Sequence, residues 1–86
     1  MLAAVDVLID ARGSDCPTAL MEMIRAVLSA RTGQVVAVLS DDAMARIDIP
    51  LWVEKSGNEL MAVTREADCD EFIVRKVQPY AADVRR

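Results

Sequence analysis

The chemistry open to this chain is concentrated in one octet, Asp10-Ala11-Arg12-Gly13-Ser14-Asp15-Cys16-Pro17. The strand-like run Val5 to Asp10 leads into it, and an amphipathic segment follows it. Gly13, Ser14 and Asp15 carry turn chemistry. Pro17 suits the first position of a helix, where a missing N–H costs nothing. Cys16 is thus expected between the C-terminal end of a strand and the N-terminus of a helix. In open α/β sheets the crevice beyond the strand ends is where ligands bind. A helix N-terminus offers unpaired N–H groups and a partial positive charge. That setting predicts a Cys16 thiolate favoured below the ordinary thiol pKa of ~8.5, with Arg12 adding to the effect and Asp15 opposing it. The chemistry is that of a nucleophilic thiol. The structural alternative is a small buried hydrophobe, a common fate of free cysteine.

Other chemistries are excluded or weakly supported. The 86 residues contain no histidine, which removes Ser-His-Asp triads, Cys-His pairs and histidine metal sites built from this chain alone. Cys69 stands among Asp68, Asp70 and Glu71, whose carboxylates disfavour a thiolate, so it is expected as an exposed bystander. Asp41, Asp42 and Asp48 lack calcium-loop spacing and read as a solvated loop and a helix cap. No phosphate-binding glycine pattern occurs. Met21, Met23, Met44 and Met61 read as core filler. A net charge of −4 repels phosphate backbones, so nucleic acid is not an expected partner. The longest charge-free stretch, nine residues from Thr32 to Ser40, is far short of the ~20 needed to cross a bilayer. The opening segment has no basic residue and is broken by Asp6, unlike a signal peptide.

The elements that must position Cys16 follow from periodicity. Leu20, Met21, Ile24, Val27 and Leu28 recur at helical spacing, and Gly33 closes that helix. Gln34 to Ser40 is an apolar run of β-formers. Asp48 is a plausible N-cap for a short second helix, with Pro50 in its first turn and Ile49, Trp52 and Val53 on its buried face. Leu60 to Thr64 and Glu71 to Val77 read as strands joined by a short acidic connection. The order βαβαββ predicts an α/β two-layer sandwich: a mixed four-stranded sheet with two helices on one face. At 53% apolar and 28% charged the chain reads as one globular domain, residues 1–86, with its core at about 5–77 and a loose tail at 78–86.

The octet followed by an amphipathic helix resembles the TusA (SirA-like) family of small sulfur carriers. V-V-A-V-L-S-D-D at 35–42, R-I-D-I-P at 46–50, S-G-N-E-L at 56–60 and F-I-V-R-K at 72–76 extend the likeness in order, over about residues 6–77. The resemblance implies the same sandwich. It also implies that Cys16 accepts sulfane sulfur as a persulfide from a donor such as a cysteine desulfurase or a rhodanese. Cys16 then passes it to an acceptor protein, on routes such as tRNA thiolation, cofactor synthesis or sulfur oxidation. Asp10, Arg12, Gly13 and Pro17 match the motif around the cysteine, and Arg12 with the Thr18 and Ala19 amides would support the anion. No cofactor, metal or membrane is implied, the setting is cytoplasmic, and the expected state is a monomer or weak dimer. One departure stands out: Ala19 replaces the second proline of the common C-P-x-P. The competing class is a non-catalytic interaction module on the same fold.

Overall fold

The computed structural model describes residues 4–77; the tail expected at 78–86 lies outside the described residues. The elements are β1 (Val7–Asp10), α1 (Cys16–Ser29), β2 (Val35–Ser40), α2 (Ala45–Ser56), β3 (Glu59–Arg65) and β4 (Asp70–Arg75). The sheet order is β1-β2-β4-β3. β1 and β2 run parallel, with Val7 opposite Val36. β4 is antiparallel to both neighbours, placing Phe72 opposite Val38 and Val63. The mixed four-stranded α/β sandwich is therefore as the pattern predicts.

One core cluster joins Met23 and Val27 of α1, Ile49 and Val53 of α2, and Val36, Val38, Phe72 and Val74 of the central strands. These strand residues alternate, so both helices cover the same sheet face. The elements differ in places from the sequence pattern. β1 starts at Val7, two residues into the run from Val5, and is an exposed edge strand; Leu8 is 61% exposed. Asp6 seals its start, donating its N–H to the Val35 carbonyl and accepting the Val35 N–H at 2.8 Å. In α1 the buried positions are Cys16, Ala19, Met23 and Val27, whereas Met21 and Leu28 face solvent. The buried face is thus turned by about one residue's rotation, ~100°, because the small Cys16 and Ala19 let the helix close on the sheet. Trp52 only half enters the core, packing against it from the rim.

α2 begins at Ala45, three residues before its expected cap. Tight bonds from the Ala45, Arg46 and Ile47 N–H groups to carbonyls three residues back start it without a side-chain cap. Pro50 lies inside the helix and Asp48 lies in its first turn. The end is as read: Gly57 has φ +80°, and the Gly57 and Asn58 N–H groups bond back to Glu54 and Val53 carbonyls. Lys76, buried and just past β4, donates from Nζ to the carbonyls of Leu28 (3.0 Å) and Ala30 (2.8 Å). It thereby satisfies groups that the end of α1 leaves open. Asp70, also buried, lies 2.7 Å from Arg46 Nε and 3.0 Å from Arg65 Nε, tying α2 and β3 to β4.

Candidate functional site

The octet forms the connection from β1 to α1 at the C-terminal end of the sheet's parallel strands. Ser14 donates to the Ala11 carbonyl, closing a turn. Gly13 takes φ +85°, a left-handed conformation that a side chain resists even though the space around it is open. Its N–H is received by both carboxylate oxygens of Asp41, at 3.1 and 3.0 Å. The Cys16 N–H donates to Asp42 Oδ2 at 2.9 Å, while Asp42 Oδ1 accepts the Met44 N–H. Asp41 and Asp42 are therefore anchors, not the solvated loop expected of them. They bind the cysteine-bearing connection to the start of α2.

α1 begins one residue earlier than Pro17 suggested. Asp15 is the N-cap and accepts the Thr18 N–H at 3.0 Å; Cys16 is the first helical residue and Pro17 the second. The Ala19 N–H already donates to the Asp15 carbonyl at 3.1 Å. Both amides expected to support a Cys16 anion are thus occupied by Asp15. Ala19→Pro would remove one of these bonds at a fully buried position. It is expected to lower the melting temperature, and a value at or above wild type would show that the first turn re-forms around the ring.

Arg12 also differs from expectation. Its Nε and terminal nitrogen clasp the two Asp10 oxygens at 2.8 and 2.7 Å. The guanidinium hydrogen bonds, with the Arg12 backbone N–H, hold Asp10 down to a pKa of about 2, and the same clasp raises Arg12. The other charges that act on Arg12 are Cys69 and Asp68. Arg12 and Asp10 are thus committed to each other and brace the turn.

Cys16 is 1% exposed, not presented to solvent. Its thiol donates to Asp48 Oδ2 at 3.4 Å. Burial, then the hydrogen bond and charge of Asp48, then the charges of Asp42 and Asp15, push its pKa up to about 11. The helix N-terminus is outweighed, and the expected low-pKa thiolate is corrected to a buried, protonated thiol. Asp48 is the residue the sequence reading missed: taken as a cap, it projects from the first turn of α2 onto the sulfur. Cys69, just before β4, is buried instead of exposed, and burial, partly offset by Arg12, raises its pKa. Both cysteines are free. A shallow groove of about 300 Å³ runs along α1 from Asp15 and Pro17 to Arg25, and Cys16 is not among its lining residues. Among the described residues no helix is long and apolar enough to cross a membrane.

A cysteine opening the first helix of a βαβαββ sandwich, behind an Asp-x-Arg-Gly turn, defines one class of small protein. The family described as sulfurtransferase TusA matches residues 7–76, and the chain belongs to it. A protein of Archaeoglobus fulgidus, provisionally named a sulfur carrier protein, is 47% identical over 72 residues, spanning 84% of this chain and 99% of its own. The sulfur carrier protein TusA of Pseudomonas aeruginosa is 32% identical over 76 residues, spanning 88% and 96% of the two chains. The crystal structure of a SirA-like protein from Desulfitobacterium hafniense superposes with a TM-score of 0.73 over 84% of this chain and 99% of its own, at 23% identity, and shares the fold.

Proposed function

We propose that this protein is a sulfur carrier that accepts sulfane sulfur on Cys16 and hands it to an acceptor protein. The observation that carries the reading is that the connection after β2 and the first turn of α2 both converge on the cysteine-bearing turn. Asp41 and Asp42 grip the octet at Gly13 and Cys16, and Asp48 reaches the thiol itself. Family relatives named as sulfur carriers support the same role.

The exchange needs no redox partner. Cys16, once deprotonated, attacks the outer sulfur of a donor persulfide. A bond forms between Cys16 Sγ and that sulfur, the donor's own S–S bond breaks, and the donor cysteine leaves as a thiolate that takes up a proton. In the second step an acceptor thiolate attacks the outer sulfur of the Cys16 persulfide and Cys16 leaves as the thiolate. A donor of the cysteine desulfurase or rhodanese class supplies such a persulfide. A reducing cytoplasm suits a carrier with two free thiols. Because Cys16 is buried, loading requires its side chain to turn outward while the donor is docked.

Incubation with a cysteine desulfurase and cysteine, followed by intact mass spectrometry, is expected to add one sulfur atom to the wild type and none to Cys16→Ser. Serine is close to cysteine in size and its hydroxyl can donate to Asp48 as the thiol does, so this variant is expected to remain folded. A Cys16→Ser protein that still gains sulfur, or a wild type that gains none, would overturn the carrier role. The second outcome favours the interaction-module reading, which the buried, protonated state of Cys16 and Ala19 in place of proline also suit.

A further inference from the structure

Three carboxylates surround the Cys16 sulfur, and they are not equivalent. Asp15, capping α1, is committed to the Thr18 N–H. Asp42, from the connection between β2 and α2, is committed to the N–H groups of Cys16 and Met44. Asp48, from α2, bonds the sulfur directly, and among the described residues this is the hydrogen bond its side chain makes. Asp48 is half-buried and Cys16 is 1% exposed, so the contact is sheltered from water.

The bond has a chemical condition. It exists only while a proton sits on Sγ. In a persulfide, Cys16–S–S–H, the bridging Sγ has no hydrogen, and the outer sulfur carries either the proton or the negative charge. We propose that Asp48 is the positioning residue of the carrier: its carboxylate holds the unloaded Cys16 thiol turned inward, and it loses that hold when sulfur is loaded. This rests on the carrier reading above. On loading, the thiol proton leaves to solvent and the Sγ–S bond replaces the S–H bond. The outer sulfur, once anionic, meets the negative charges of Asp48, Asp42 and Asp15 and is driven outward, where an acceptor thiolate reaches it. Delivery restores the S–H bond and the inward position. Asp48 thus makes the empty carrier inert toward stray electrophiles and the loaded one accessible.

The test uses the full chain, with peptide mass mapping to separate Cys16 from Cys69. Iodoacetamide alkylation of the unloaded thiol is followed against pH in wild type, Asp48→Asn and Asp48→Glu. Asp48→Asn removes the charge and is expected to speed Cys16 alkylation at neutral pH at least about tenfold and move its pH midpoint down by about one unit or more. Asp48→Glu keeps the charge and is expected to retain slow alkylation. Cyanolysis of the loaded persulfide is expected to change several-fold less in Asp48→Asn than thiol alkylation does, because the loaded sulfur has left the carboxylate. Thermal melting shows that each variant is folded, and Asp48→Ala serves if Asp48→Asn is not. An unchanged alkylation profile in a folded Asp48→Asn variant overturns the role of Asp48. So does a persulfide accelerated as strongly as the thiol. Failure of the wild type to gain sulfur is a separate result: it overturns the carrier reading and the loaded half of this proposal, whereas the alkylation profile alone reports the hold on the thiol.

Discussion

At neutral pH, iodoacetamide is expected to alkylate native Cys16 at least ~20-fold more slowly than it alkylates free cysteine. The magnitude comes from two opposing effects. With a pKa of about 11, against ~8.5 for the free thiol, the thiolate is a few hundred-fold scarcer. The more basic thiolate is a better nucleophile and recovers roughly tenfold of that. Burial to 1% exposure then adds a barrier of access in the same direction as the scarcity. The rate is expected to keep rising with pH towards about 11 rather than levelling near the free value. In urea the difference is expected to vanish, because both the burial and the carboxylates are lost on unfolding. A native rate equal to that of free cysteine would mean that Cys16 rests outward in solution. The same shift links to stability. The folded thiol holds its proton more tightly than the unfolded one. Its contribution is therefore complete below the unfolded pKa and is lost as pH rises through about 11.

Phe72→Ala is expected to cost ~3–5 kcal/mol. Phe72 is fully buried on β4, facing both helices between Val38 and Val63, and among the described residues it heads the fully buried side chains by size. A domain of this size has roughly 4–13 kcal/mol of stability in total. Urea unfolding would therefore show a large fall in midpoint or a chain already partly unfolded. A loss below ~1 kcal/mol, typical of surface changes, would show that the two helices collapse into the space.

The strands and turns were readable because their signals are local. The run Val35 to Leu39 is apolar at every position because β2 is a central strand, covered by neighbours on both edges. Gly57-Asn58 ends α2 through its own backbone bonds. The cysteine's place at the start of α1 followed from Asp15 and Pro17 for the same reason. Its state did not follow, because Asp42 and Asp48 reach Cys16 from 26 and 32 residues away and nothing in their local sequence says so. Asp48 before Ile49-Pro50 has the look of a cap. Only the packing of α2 beside α1 turns it onto the sulfur. The phase of α1 was misread for a related reason. Periodicity weighs large side chains such as Met21 and Leu28, whereas the close approach of helix to sheet selected Ala19 and Cys16.

The strand order also bears on synthesis. β4, the last of the four strands to be made, sits between β2 and β3. Until residues 70–75 have left the ribosome, β2 has no partner on one edge and β3 has none at all. Lys76, which closes the end of α1, emerges later still. A nascent chain that already holds the complete cysteine motif therefore exposes open strand edges and the apolar side chains of Val36 and Val38. It cannot settle cooperatively until β4 is free, which favours folding of the sheet as one unit over stepwise folding from the N-terminal strand.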